Sequence, residues 1–190
     1  MPRPASNRKA EITEAAAGII YEQGYSQTTL AEVAKAANIP VGSVYYYFKT
    51  REDVAKGVIS ALSDRYCEMR ADWDRIEDPR ARVLAFVGMT LANRDALSRF
   101  GCAIGSLGTE LGKQDRDLAG DLSAIFKNIL VWLAEEFQAI GCDEQDAERN
   151  ALHVLTVLQG ASLLTHLFDD PSVMEKQAQE LTRFVNAAGT

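Results

Sequence analysis

Apolar residues recur three and four positions apart along almost the whole chain, a period that belongs to helices. No segment of four or more residues keeps a two-residue alternation with turn signals at both ends, so no sheet is expected. The reading is all-α, with about nine helices. A first helix is predicted from about Asn7 to Gln23, with Ile12, Ala15, Ala16, Ile19 and Ile20 on one face. Gly24 follows where a left-handed residue would end it. Thr29-Leu30-Ala31-Glu32 has the form of a capping box and opens a second helix. That helix ends near Ala37, where Asn38 can take a positive φ. A third runs from about Val41 to Phe48, and Thr50-Arg51-Glu52-Asp53 offers a box-like start for a long fourth helix reaching toward Trp73.

Asp78-Pro79 reads as a cap and first-turn proline for a fifth helix continuing to about Arg99. Gly101, Gly105 and Gly108 make the sixth short or kinked. A seventh is expected over about Asp117 to Ala139 and an eighth over about Asp143 to Phe168. Asp169-Asp170-Pro171 breaks the pattern before Ser172 opens a ninth. No apolar run approaches the roughly 18 residues that a bilayer span needs, and the basic N-terminal residues have no apolar core behind them. Neither a membrane span nor a secretory signal is expected, which assigns the chain to the cytoplasm. Cys67, Cys102 and Cys142 are far apart and form no CxxC pair, so neither a metal site nor a disulfide framework is indicated.

The net charge of −7 looks wrong for a partner of nucleic acid until it is divided along the chain. Through Arg51 there are six basic residues (Arg3, Arg8, Lys9, Lys35, Lys49, Arg51) against four acidic ones, a net of +2 that leaves −9 for the rest. Such asymmetry suits a first segment facing a polyanion, while the acidic remainder repels it and confines contact to one end.

The stretch from Gly24 to Asp53 carries the function. Two short helices joined through Asn38-Ile39-Pro40 have the form of a helix-turn-helix, whose second helix can enter a DNA major groove. Val33, Ala34 and Ala37 on one helix and Val44 and Phe48 on the other supply their mutual contact. Tyr45, Tyr46 and Tyr47 are successive, and neighbours on a helix lie about 100° apart, so at least one must face outward. A tyrosine hydroxyl can donate to a phosphate oxygen and its ring can pack on a thymine methyl. Lys49 and Arg51 follow at the start of the fourth helix, where charge and helix-terminal amides both suit phosphate.

The residues Gly24-Tyr25, Thr29, Val33-Ala34, Ala37, Ile39, Gly42-Ser43-Val44-Tyr45-Tyr46-Tyr47-Phe48 and Arg51-Glu52-Asp53-Val54 resemble the DNA-binding domain of the tetracycline-repressor (TetR) family. The match covers roughly the first sixty residues. It implies a helix-turn-helix DNA-binding domain over residues 1–52, joined through the long fourth helix to a helical-bundle effector-binding and dimerisation domain over 53–190. Carried over by position, Thr29, Tyr45, Tyr47, Lys49 and Arg51 would contact phosphates, and Ser43, Tyr46 and the backbone at Gly42 would lie nearest base edges. Two departures stand out: Asn38 where the family usually has glycine, and Pro40 where it often has a serine cap. No Arg, Lys, Gln or Asn lies between Val41 and Tyr47. Direct base readout is therefore expected to be thin, with DNA shape and the arm Arg3, Arg8 and Lys9 contributing more.

In the body most apolar residues are core by default. If an effector cavity exists, Trp73, Phe86, Met89, Phe100, Cys102, Phe126 and His153 are its candidate lining residues. The resemblance implies a homodimer through the eighth and ninth helices, about 143–168 and 172–187. Gly160-Ala161-Ser162 would allow close approach there, with Leu155, Leu158, Leu163, Leu164, Leu167 and Phe168 as apolar area. A twofold dimer predicts a palindromic operator. Gly101-Cys102-Ala103-Ile104-Gly105-Ser106-Leu107 with Glu110-Leu111 resembles the start of the body's sixth helix in a branch of the family, some of whose members sense electrophiles or oxidants through this cysteine. A thiol at a helix N-terminus beside Arg99 is placed for such chemistry, and a buried, inert thiol is the alternative.

An enzyme is not expected. His153 and His166 are thirteen residues apart and no hydrolase, phosphate-binding or dinucleotide motif is present. No cofactor is implied. A helical interaction module without DNA binding is the other alternative, and steep salt dependence separates it from a DNA-binding protein. The expected function is thus a one-component repressor, released from its operator by a small-molecule or electrophile/oxidant effector.

Overall fold

The computed structural model describes residues 5–189, which leaves Arg3 of the expected basic arm outside the described residues. Among these residues there are ten helices and no strand. They are α1 (Ala5–Gln23), α2 (Leu30–Ala36), α3 (Val41–Tyr47), α4 (Arg51–Trp73), α5 (Pro79–Ala92), α6 (Arg94–Phe100), α7 (Ala103–Gln114), α8 (Arg116–Ile140), α9 (Glu144–Phe168) and α10 (Ser172–Ala187). The count exceeds nine because the expected fifth helix breaks at Asn93. There the Asn93 side-chain amide donates to the Met89 carbonyl at 2.8 Å, and this local bond competes with the helical backbone. The expected eighth and ninth helices are therefore α9 and α10.

The remaining boundaries follow local chemistry. Gly24 (φ 87°) closes α1, and Asn38 (φ 53°) makes the turn after α2. Asp78 caps α5, accepting from Arg80 N, with Pro79 in the first turn. Asp143 caps α9, accepting from Asp146 N at 2.8 Å. Asp169, in the left-handed region, stops the same helix.

Contacts divide the chain into two compact units, neither of them continuous in sequence. One holds the described residues up to Tyr66 together with Ala103–Leu122, and the other holds Cys67–Cys102 with the described residues from Ser123 onward. Chain order suggests a division at residues 52 and 53, whereas packing groups α7 with α1, α2, α3 and most of α4. The core of the first unit is built from Ile12, Ala16 and Ile20 of α1, Val33 and Ala34 of α2, Val44 of α3, and Val54, Ala55 and Val58 of α4. Leu107 and Leu111 bring α7 into it.

The second unit is organised by α8, α9 and α10. Trp132 of α8 is fully buried against Trp73 (ring centres 5.4 Å apart) and Phe86 (6.0 Å). Arg80 closes the C-terminal end of α10, donating from Nη1 to the carbonyls of Val185 (2.6 Å) and Ala188 (3.0 Å), where a cation suits the helix dipole.

Helix α9 departs from expectation in two respects. By length and composition alone it could cross a membrane, with a mean hydropathy of 1.4 over 18 residues. Averaging absorbs isolated polar residues such as Thr156 and Gln159, which had broken every uninterrupted apolar run. In addition, Leu155, Leu158, Ala161 and Ser162 are buried within their own chain, so they are not available as interface area. Of the apolar residues expected at the interface, Leu163, Leu164, Leu167 and Phe168 are exposed.

Candidate nucleic-acid interface

The interface is assembled from the turn after α1, helices α2 and α3, and the start of α4. Val33 and Ala34 meet Val44 and Phe48 in the interior, as their spacing requires, while Ala37 is half-buried. The Phe48 ring sits close to the backbone of α4, where an added Cβ at Gly57 would lie 3.1 Å from it. Lys9 Nζ lies 5.7 Å from the centre of the same ring.

Helix α3 presents aromatic and small residues to solvent. Tyr46 is 74% exposed and Tyr45 48%, whereas Tyr47 is half-buried. Tyr47 meets Tyr46 edge to face, with ring centres 4.9 Å apart, which fixes the outward ring. A methyl added at exposed Gly42 would meet nothing within 4 Å beyond its chain neighbours and its own helix backbone, so the position faces open space. Ser43 beside it is half-buried. As the sequence suggests, Pro40 supplies no side-chain hydrogen bond to the start of α3.

The ends of the neighbouring helices are fastened by two capping boxes. Thr29 Oγ1 accepts from Glu32 N at 3.2 Å, and Glu32 Oε2 accepts from Thr29 N at 2.8 Å and from Thr29 Oγ1 at 2.9 Å. These bonds hold the Glu32 carboxyl below its ordinary range, the side-chain bond from Thr29 having the largest effect. At α4, Thr50 Oγ1 accepts from Asp53 N at 3.1 Å. Asp53 Oδ2 takes the N–H groups of Lys49 (2.9 Å) and Thr50 (3.1 Å), and these bonds lower its acidity range likewise. Those two amides, directly before α4, are therefore already engaged.

Lys49 turns back onto α3, its Nζ donating to Tyr45 O at 2.6 Å. Arg51 Nη1 donates to Ser26 O at 3.2 Å, and its guanidinium lies 4.4 Å from the centre of the Tyr25 ring. Burial pushes the Tyr25 phenol up, against the opposing pull of Arg51. A guanidinium has five donors, so Arg51 retains capacity for phosphate while these contacts orient it. In the sequence Tyr25 stands out only as part of the family pattern, and Ser26 carries no expected role. No local signal marks Ser26, because its partners lie far along the chain.

The body candidates are distributed differently from the predicted cavity. Trp73 and Phe86 are brought together, edge to face at 5.7 Å, with Trp132 as a third member that sequence did not single out. Met89, Phe100 and Cys102 are half-buried, with Cys102 directly before α7. Phe126 instead lines an open groove of about 520 Å³ with Leu155, Thr156, Gln159, Gly160 and Leu163. His153 is exposed and its ring packs against Phe184 at a tilt of 55°, with ring centres 4.6 Å apart.

Residues 12–58 match the family described as bacterial regulatory proteins, tetR family, and residues 79–187 match the C-terminal domain described as transcriptional regulator LmrA/YxaF-like. The transcriptional regulator AcuR of Cereibacter sphaeroides is 29% identical over 136 residues, covering 68% of this chain and 61% of AcuR, so the match spans less than two thirds of that relative. The crystal structure of a regulatory protein TetR from Rhodobacter sphaeroides is 26% identical, with a TM-score of 0.79 over 92% of this chain and 96% of that one. A TetR transcriptional regulator from Legionella pneumophila, 20% identical, shares the fold with a TM-score of 0.85 over 96% and 98% of the two chains. An exposed aromatic helix held by two capped neighbours is thus found in a chain matched along most of its length, and the protein belongs to the TetR family of DNA-binding transcription regulators.

Proposed function

We propose that the protein is a homodimeric one-component repressor that binds a palindromic operator and is released by a small-molecule effector. The observation that carries this reading is the outward surface of α3, where Tyr45, Tyr46 and open Gly42 stand together on a helix rigidly fastened at its neighbours. Residues 1–52 serve as the DNA-binding head and residues 53–190 as the effector-binding and dimerisation body. Tyr46, Ser43 and the Gly42 backbone approach base edges, while Thr29, Tyr45, Tyr47, Lys49 and Arg51 contact phosphates. Lys49 does so after leaving the α3 carbonyls, an exchange of one hydrogen-bonded state for another. With no long polar side chain on the recognition surface, selectivity draws on thymine methyl contacts and groove shape.

Dimerisation uses the faces of α9 and α10. The exposed residues Leu163, Leu164, Leu167 and Phe168 give α9 an apolar strip that a second copy can cover, and exposed Gly160 permits close backbone approach. Two heads about one DNA turn apart, roughly 34–36 Å or a multiple of it, then read the two half-sites. An effector acts by binding better to the body arrangement that misplaces the heads. The protein works in the cytoplasm, where its operator lies.

The test is a fluorescence-anisotropy titration of the purified protein against its own upstream intergenic DNA and against duplexes selected from a random library, at several salt concentrations. Saturable, salt-sensitive binding that beats a scrambled duplex is expected. Absence of binding to any duplex at low salt would sink the reading. The same assay with a thiol-alkylating reagent, on wild type and Cys102→Ser, decides whether the effector is an electrophile acting through that cysteine.

A further inference from the structure

Helix α7 belongs by packing to the DNA-binding unit, although it follows that segment by about forty residues. Its point of attachment is a carboxylate. Glu110 Oε1 accepts from Tyr25 N at 3.3 Å, and Glu110 Oε2 accepts from Ser26 N and from Ser26 Oγ, both at 2.9 Å. One turn further along the same face, Gln114 Nε2 donates to Ser26 Oγ at 2.8 Å. The Ser26 hydroxyl is thus both acceptor and donor in a chain running from Gln114 through Ser26 to Glu110, an arrangement in which each bond polarises the next.

Gly24 completes the socket. Its φ of 87° already disfavours a side chain, and a Cβ there would stand 2.8 Å from Glu110 Oε1. The turn is therefore shaped to admit a carboxylate against its backbone. The opposite side of the same turn carries Arg51: the Ser26 carbonyl receives its Nη1, and the Tyr25 ring lies under its guanidinium. The two residues whose N–H groups are held by Glu110 are the two residues that orient Arg51.

We infer that Glu110 is a positioning residue for DNA binding, which acts through the Tyr25–Ser26 turn to set the direction of Arg51 toward phosphate. This inference rests on the operator-binding reading above. It gives α7 an indirect part in DNA binding, exerted through the turn, with Gln114 in support.

The experiment is a double-mutant cycle on the full chain, with a duplex selected by the wild type from a random library as probe. Glu110→Ala is expected to weaken binding about tenfold in the wild-type background and less than about twofold in Arg51→Ala, because the second loss has nothing left to orient. Glu110→Gln, which keeps an acceptor oxygen and the side-chain volume, should recover part of the affinity and keeps the test intact if the alanine variant folds poorly. Amide hydrogen exchange supplies an independent readout: the Tyr25 and Ser26 amides should exchange faster in Glu110→Ala. Equal losses in both backgrounds, or unchanged affinity, would overturn the role, and unchanged exchange would show that the carboxylate does not hold the turn. If the wild type selects no duplex, the operator reading falls and takes the role with it, whereas the exchange data still report whether the latch forms.

Discussion

Arg82 Nη1 lies 3.2 Å from Glu136 Oε2, and the glutamate is only 5% exposed. Arg82 also donates from Nε to Ile76 O at 2.6 Å, so the same guanidinium joins the segment after α4 to α8. Burial raises the Glu136 carboxyl above its ordinary 4.5, and the attraction of Arg82 offsets that only in part. Between 4.5 and the raised folded value the native state binds more protons than the unfolded state. Stability should therefore fall as pH rises through that window. Glu32, Asp53 and Asp170 have depressed values, so the stability they contribute is lost only as pH falls through those lower values. Urea midpoints measured from pH 4.5 upward should show the declining slope in wild type and its disappearance in Glu136→Gln. Glu136→Ala should cost about 1–3 kcal/mol at neutral pH, below the value for a fully enclosed pair because the Arg82 side chain is 24% exposed.

Trp132 is the largest fully buried side chain and its Nε1 donates to Asp74 Oδ1 at 3.1 Å. Trp132→Ala should cost about 3–5 kcal/mol in urea denaturation through the cavity left beside Trp73 and Phe86. Trp132→Phe keeps most of the volume and leaves Trp73 as the single tryptophan of the chain. Its emission should remain blue-shifted if the cluster survives. A red-shifted native spectrum would show that the cluster depends on Trp132 in particular.

On α9, Leu163→Glu and Leu167→Glu place charges on the strip proposed to meet a second copy. Analytical ultracentrifugation should show a shift from dimer to monomer with unchanged helical circular dichroism. Operator affinity should fall with it, because two linked heads bind far more tightly than one. A variant that stays dimeric would move the interface elsewhere.

Arg51 and Tyr46 should weaken DNA binding in different ways. Losing a phosphate-directed charge in Arg51→Ala should reduce the slope of log affinity against log salt by about one. Tyr46→Ala removes the most exposed aromatic ring of α3 and should weaken binding with the salt slope unchanged. Anisotropy titrations at four or more salt concentrations separate the two.

What the sequence determined by itself is the set of features whose partners lie within a few residues. The boxes at Thr29–Glu32 and Thr50–Asp53, the stop at Gly24 and the turn at Asn38 all close hydrogen bonds over short spans, so residue order alone specifies them. The outward tyrosines belong to the same class, since successive helical residues cannot share one face. Tertiary structure decided everything that joins distant segments. Glu110 meets Ser26 across 84 residues and Arg82 meets Glu136 across 54, and no periodicity records either meeting. The same limit explains Leu155 and Leu158 turning inward while Leu163 and Leu167 stay outside. A helical stripe states that a face is apolar, but only the arrangement of the other helices determines whether that face is covered by the chain itself.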